Sequence, residues 1–201
     1  IGTHGGGLNF FDPNELKFST YLKDLSRTDF NSNVIVRDIE EFGSHQLLIA
    51  SEGAGLLLFD QSERKLVKRW TSNNGEILSD DVYAVVIDNI GDIWVGSRGG
   101  LTRIKQEDNT SLHYTLENGK LSGLQVWCLK VDQLNRIWAG TSNGLNLFDR
   151  EENNFRFYFH DTTGNKLMQD NGITCFYELD NDIMFVGSKA GYRKFNPRTG
   201  K

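Results

Sequence analysis

One recurring turn carries a different polar side chain in each copy. His4, Glu52, Arg98, Ser142 and Lys189 each follow the Ser or Thr that opens a Thr/Ser-x-(x)-Gly turn. A turn that needs only solubility accepts any polar residue there. A rigid frame that presents a different group in each copy can also bind a ligand. Two aromatics, Tyr83 and Trp127, hold equivalent places near the start of another recurring strand. An aromatic at that place either packs inside or stacks on a sugar ring. The candidate ligand-binding set is therefore His4, Glu52, Arg98, Lys189, Tyr83 and Trp127. Catalytic chemistry is not expected. The histidines, at positions 4, 45, 113 and 160, share no repeat position, and a general base needs partners within hydrogen-bond reach. His-Glu-x-x-His, Gly-x-Ser-x-Gly and a phosphate-cradling glycine loop are all missing from the sequence. Gly5-Gly6-Gly7 has no helix after it to bind phosphate. Asp180-Asn181-Asp182 lacks the ligand series of a calcium loop and reads as a turn. Asp80-Asp81 reads as a solvated loop end. No metal and no cofactor are expected.

The elements that hold these residues repeat. The phrase Ile93-Trp94-Val95-Gly96-Ser97-Arg98-Gly99-Gly100-Leu101 recurs as Ile137 to Leu145, with looser copies at Ile1 to Leu8, Leu48 to Leu56 and Met184 to Tyr192. Anchoring on Gly2, Ala50, Gly96, Gly140 and Gly187 gives spacings of 48, 46, 44 and 47 residues. Each period holds four strand signals, here called a to d. Strand a is an apolar run ending near an acid, as in Val82 to Asp88. Strand b is Ile-Trp-Val-Gly, strand c is Gly-Leu-x-x-Phe, and strand d is an aromatic-rich stretch such as Leu66 to Trp70. Periods of this length with short strands predict a β-propeller of four-stranded antiparallel blades. No segment sustains a 3.6-residue apolar period, so helix should be nearly absent. Strand a, the most apolar, should lie innermost, and strand d, the most charged, at the rim.

Composition narrows the function. A net charge of −5 gives no reason to expect nucleic acid, whose phosphates want a basic face. No apolar run approaches the roughly 18 residues of a membrane helix, so no membrane contact is expected of this segment. Glycine, at 21 residues against 2 prolines, makes the turns. The two cysteines exclude a disulfide framework. Cys128 and Cys175 share one strand a position in neighbouring blades. Such sheets stack about 10 Å apart, too far for a disulfide, so both should be free, buried thiols.

Asn89 to Ile104 and Gln133 to Phe148 resemble the two-component regulator propeller repeat. Asp88, Gly91, Trp94, Gly96, Gly100 and Leu101 match it in one copy. Asp132, Trp138, Gly140, Thr141, Gly144, Leu145 and Phe148 match it in another. Departures are Asn135 for glycine, Ala50 for the anchor, Phe185 for Trp and Tyr192 for Leu. The resemblance implies the periplasmic sensor region of a hybrid two-component histidine kinase, which binds an oligosaccharide and regulates genes for its use. It implies no enzyme activity in this segment, although a kinase module belongs to such proteins.

The chain reads as a single partial propeller over residues 1–201, with blade pieces at 1–21, 33–70, 82–115, 125–159 and 172–201. The end blades should be incomplete, and their open edges should meet the remaining blades or a second copy. A closed four-bladed ring is the alternative architecture. The function expected is an extracytoplasmic sensor of a membrane-anchored protein, with a glycan as ligand. A protein-interaction scaffold is the alternative, marked by a broad apolar patch on the face of the b–c turns. A propeller lyase would need a convergent His, acid and metal.

Overall fold

The structure, a computed structural model, describes residues 1–4, 6–22, 34–158, 171–180 and 183–200. His160, Phe159, Asn181, Asp182 and most of the d–a connections at 22–33 and 161–172 lie outside the described residues. The rest folds into five antiparallel sheets. The first pairs β1 (Leu8–Asp12) with β2 (Lys17–Tyr21), and a bridge from Gly2 to Leu8 marks the tail of strand b. The second contains β3 (Ile35–Phe42), β4 (Gln46–Glu52), β5 (Gly55–Asp60) and β6 (Lys65–Trp70). The third contains β7 (Val82–Ile87), β8 (Ile93–Ser97), β9 (Gly100–Ile104) and β10 (Ser111–Tyr114). The fourth contains β11 (Val126–Val131), β12 (Ile137–Thr141), β13 (Gly144–Asp149) and β14 (Asn154–Tyr158). The fifth holds β15 (Ile173–Asp180), β16 (Ile183–Ser188) and β17 (Gly191–Phe195). There is no helix among the described residues. The architecture is an all-β propeller arc with incomplete end blades. Within it β2 pairs only with β1, and β17 only with β16, so the four-bladed ring is not formed.

Successive blades meet through their inner strands, β3 against β7, β7 against β11 and β11 against β15. Strand a is thus innermost, as its apolar sequence predicts. It is not the most buried strand, however. That is strand b, buried at every position of β8 and β12. Both faces of strand b are covered by neighbouring sheets, whereas strand a is only partly covered, as in β11.

The anchor glycines are there for space. A methyl group at Gly96 would sit 2.8 Å from Val126 Cγ1, and one at Gly140 2.8 Å from Ile173 Cγ2. Gly2 stands in the same relation to Val36. In each case the first core residue of the next strand a lies on the glycine of the preceding strand b. Ala50 and Val82, both fully buried in one cluster, make the remaining junction.

The acid that ends strand a closes each of the two strong copies. Asp88 Oδ1 accepts the backbone N–H groups of Ile90 and Asp92, and its Oδ2 accepts the Trp94 indole N–H at 2.9 Å. Asp132 accepts from Leu134, Arg136 and, at 2.8 Å, the Trp138 indole. A guanidinium completes each site, Arg150 at 2.9 Å on Asp88 and Arg136 at 2.6 Å on Asp132. Where the tryptophan is lost the acid goes with it. Phe42 precedes Leu48 by six residues and Leu179 precedes Phe185 by six, matching the Asp–Trp spacing.

Cys128 and Cys175 are free thiols, as their blade positions predict. Cys128 is mostly covered and donates to the Ile173 carbonyl at 3.5 Å; burial pushes its thiol well above the usual range. Cys175, expected to be buried, is exposed, because no further blade covers the outer face of the fifth sheet in this structure.

Two measurements test this packing. Asp132→Ala strands a buried indole N–H and frees a guanidinium, and should cost about 3 kcal/mol in chemical denaturation. Paired with Trp138→Phe in a double-mutant cycle it should show a coupling of at least about 1 kcal/mol, and strict additivity would contradict the indole–carboxylate bond. In native thiol titration, at dilutions where the chain is monomeric, Cys175 should react promptly, and Cys128 only on unfolding.

Candidate functional site

Each inner strand begins with the same irregularity. In the second sheet Val36 pairs with Ser51 and Asp38 with Ala50, so Arg37 is skipped. The identical skip leaves out Tyr83 between Val82 and Ala84, Trp127 between Val126 and Cys128, and Thr174 between Ile173 and Cys175. These are one-residue β-bulges, which re-aim the side chain of the extra residue. The residue before each bulge, Val36, Val82, Val126 or Ile173, is buried against the preceding blade. The bulge residue is released from that packing.

The four released side chains come together. Arg37, Tyr83, Trp127 and Thr174, one from each of four successive blades, line an open pocket of about 450 Å³ with Glu52 and Lys189. It lies on the face that carries the b–c turns. Those turns are built alike: the Ser51, Ser97, Thr141 and Ser188 hydroxyls donate to the carbonyls of Gly55, Gly100, Gly144 and Gly191. Gly100 and Gly144 adopt φ of 131° and 120°, which L-residues avoid.

Inside the pocket Arg37 donates through Nε, at 2.8 Å, and through Nη2 to one oxygen of Glu52. The Trp127 ring is fixed by its indole N–H, which donates to Gln125 Oε1 at 3.0 Å. Lys189 Nζ lies 5.7 Å from the centre of that ring. It has no carboxylate partner among the described residues. The Thr174 hydroxyl donates to the Gly187 carbonyl at 3.4 Å. Burial, then the negative charges of Asp81 and Glu52, push the Tyr83 phenol up, so it stays neutral and available as donor. Next to the bulge, Asp38 accepts the Val85 N–H at 3.0 Å, and burial raises its pKa. Burial also raises that of Glu40, helped by Asp38 and Glu41. Lys130 pairs with Glu178 at 3.6 Å on the same inner strands.

Four of the six expected residues line this pocket: Glu52, Tyr83, Trp127 and Lys189. Arg98 and His4 do not. Arg98 pairs with Asp81 at 3.4 Å, its side chain 64% exposed, and its own N–H donates to the Asp81 carbonyl. His4 is exposed on the turn of the first sheet. Arg37 and Thr174 are the residues that sequence reading missed. Their signal was present: Arg37, Tyr83, Trp127 and Thr174 each stand thirteen residues before the anchor of their blade. Among the described residues no three His, Cys, Asp or Glu side chains gather as a metal site, and no helix is long and apolar enough to cross a membrane.

No family model matches the chain, and no curated protein does. Solved structures do match. One is the extracellular domain of a Bacteroides thetaiotaomicron protein assigned as hybrid two-component system BT4673, with TM-score 0.79 and 15% identity over 98% of this chain and 25% of that one. Another is the corresponding domain of BT3049 from the same organism, with TM-score 0.77 and 16% identity over 97% of this chain and 27% of that one. PorZ, a surface component of the type-IX secretion system of Porphyromonas gingivalis, matches with TM-score 0.65 and 17% identity over all of this chain and 30% of its own. The chain thus spans between a quarter and a third of the length of these three structures. At these identities the likeness is one of fold, and it agrees with the propeller read from the repeat.

Proposed function

We propose that this chain is an extracytoplasmic ligand-sensing module of a two-component signalling protein, which detects an oligosaccharide and regulates transcription. The observation that carries the reading is the convergence of four bulge side chains, with Glu52 and Lys189, on one pocket of the b–c face. Its make-up suits a saccharide. Tyr83 and Trp127 offer faces for sugar rings, and Glu52, Arg37, Thr174 and Lys189 offer hydrogen bonds to hydroxyls. The repeat resembles that of sensor propellers, and two of the matched structures are extracellular domains assigned to hybrid two-component systems. A protein-interaction scaffold calls for a broad apolar patch on this face, where charged groups stand instead. The module itself is read as non-enzymatic and as needing no cofactor.

The large exposed apolar side chains include Phe10, Phe11 and Phe18 in the first sheet and Tyr177 and Tyr192 in the fifth. These end sheets are assigned to contact with further blades or with a second copy.

Two results are expected. In tryptophan-emission and calorimetric titrations against a panel of neutral and acidic oligosaccharides, at least one should bind, and Trp127→Ala should weaken it by about 1–3 kcal/mol. Silence across the panel would reject the glycan-sensing reading. In sedimentation velocity the 201-residue chain should self-associate, and Phe18→Glu with Tyr192→Glu should shift it toward monomer. A monomer at every concentration tested would reject the second copy and leave further blades as the partner of the end sheets.

A further inference from the structure

The inner-strand bulge separates two tasks that adjacent residues perform. Position one of the motif is uniform in kind: Val36, Val82, Val126 and Ile173 are all β-branched and buried, the last three completely. Position two is chemically unlike in every blade: Arg37, Tyr83, Trp127 and Thr174. A packing position tolerates little change of volume. The spread from threonine to tryptophan at position two means that the core makes no demand there. All four of these side chains nevertheless border one pocket. What they share is an address, since the skipped residue borders the pocket whatever it is.

We infer that the bulge is the ligand-reading position of each blade, and that the set in this chain reads a ring-stacked saccharide bearing an acid group. The inference rests on the ligand-sensing function proposed above and specifies which residues select and what they select. Tyr83 and Trp127 supply the stacking faces. The Arg37 guanidinium is engaged by Glu52, through two of its N–H groups. Lys189 holds its ammonium over the Trp127 ring with no carboxylate partner among the described residues. A carboxylate or sulfate on a sugar stacked at Trp127 would be Lys189's counter-charge, joined by a charge-assisted hydrogen bond. Glu52 is already matched by Arg37, so the balance of the pocket is positive by one charge. Arg98 is engaged by Asp81 and lies outside the pocket lining, so it takes no part.

The test has two arms on the same protein. In the first, occupants are exchanged between blades, with Tyr83→Thr, Thr174→Tyr and Arg37→Met compared with Val126→Ala one residue before a bulge. The bulge variants should keep their thermal midpoints within about 2 °C of the parent, while Val126→Ala should fall by about 5 °C. Bulge variants that lose as much as Val126→Ala would overturn the inference, because the position would then be structural. In the second arm a hexamer of galacturonic acid and a neutral glucose hexamer are titrated by calorimetry at low and high salt. The acidic hexamer should bind at least tenfold tighter, with the advantage lost in Lys189→Met and in high salt. Tyr83→Thr should weaken both hexamers, and Arg98→Met and the opposite-rim control His45→Ala neither. An acid preference that survives Lys189→Met, or a neutral hexamer bound as tightly, would overturn the inference while leaving the sensing function intact. Failure of the whole panel of oligosaccharides to bind would overturn both.

Discussion

The contact on which the rest depends is small: a β-branched side chain resting on a residue with little or no side chain. Val36 on Gly2, Val126 on Gly96 and Ile173 on Gly140 are three instances, and Val82 beside Ala50 is the fourth. Each brings the head of one inner strand onto the middle of the strand b before it. No side chain of ordinary size fits between them, so the distance between sheets is set there. Because that residue must turn sideways toward the preceding blade, the chain needs one extra residue to regain register with its own strand b. The bulge is that extra residue. Blade spacing and pocket lining are therefore two outcomes of the same local geometry.

The lower rim is held differently. Asp88 and Asp132 gather backbone N–H groups, an indole and a guanidinium around two carboxylate oxygens. A buried carboxylate is tolerated when its lone pairs are filled and a cation is near. The guanidinium on Asp88 comes from Arg150 in the following blade, so this lock also ties neighbours together. Blades that lack the tryptophan lack the acid, since an indole N–H without an acceptor and a buried acid without donors are both costly.

Much of this was legible in the residues. Period, strand order, antiparallel four-stranded sheets, the broken ends and the free cysteines all follow from spacing and apolar pattern, because each copy repeats the same packing problem. The pocket was legible in part. Glu52 and Lys189 were visible as odd residues in a shared turn, and Tyr83 and Trp127 as aromatics in register. Arg37 and Thr174 were hidden because a strand read with strict alternation assigns no special direction to its second residue. A bulge breaks that alternation, and it is defined by a pairing between strands, which one strand's sequence does not display. Arg98 lies outside the pocket lining for the opposite reason. Its turn position matched that of Glu52 and Lys189, but Asp81, one residue before β7, captures it through both backbone and side chain.

Insulating the bulge from the core has a consequence for how such a molecule changes over generations. A substitution at Trp127 or Thr174 alters what the channel offers while leaving the blade junction one residue earlier as it was. Most routes to a new preference in a protein pass through intermediates that fold less well, and here that penalty is largely removed. Duplication or loss of a whole blade would add or delete one such residue together with the scaffold that aims it. If the bulge reads ligand as proposed, a lineage built on this plan can explore ligands one codon or one blade at a time, with selection acting on recognition separately from selection on folding.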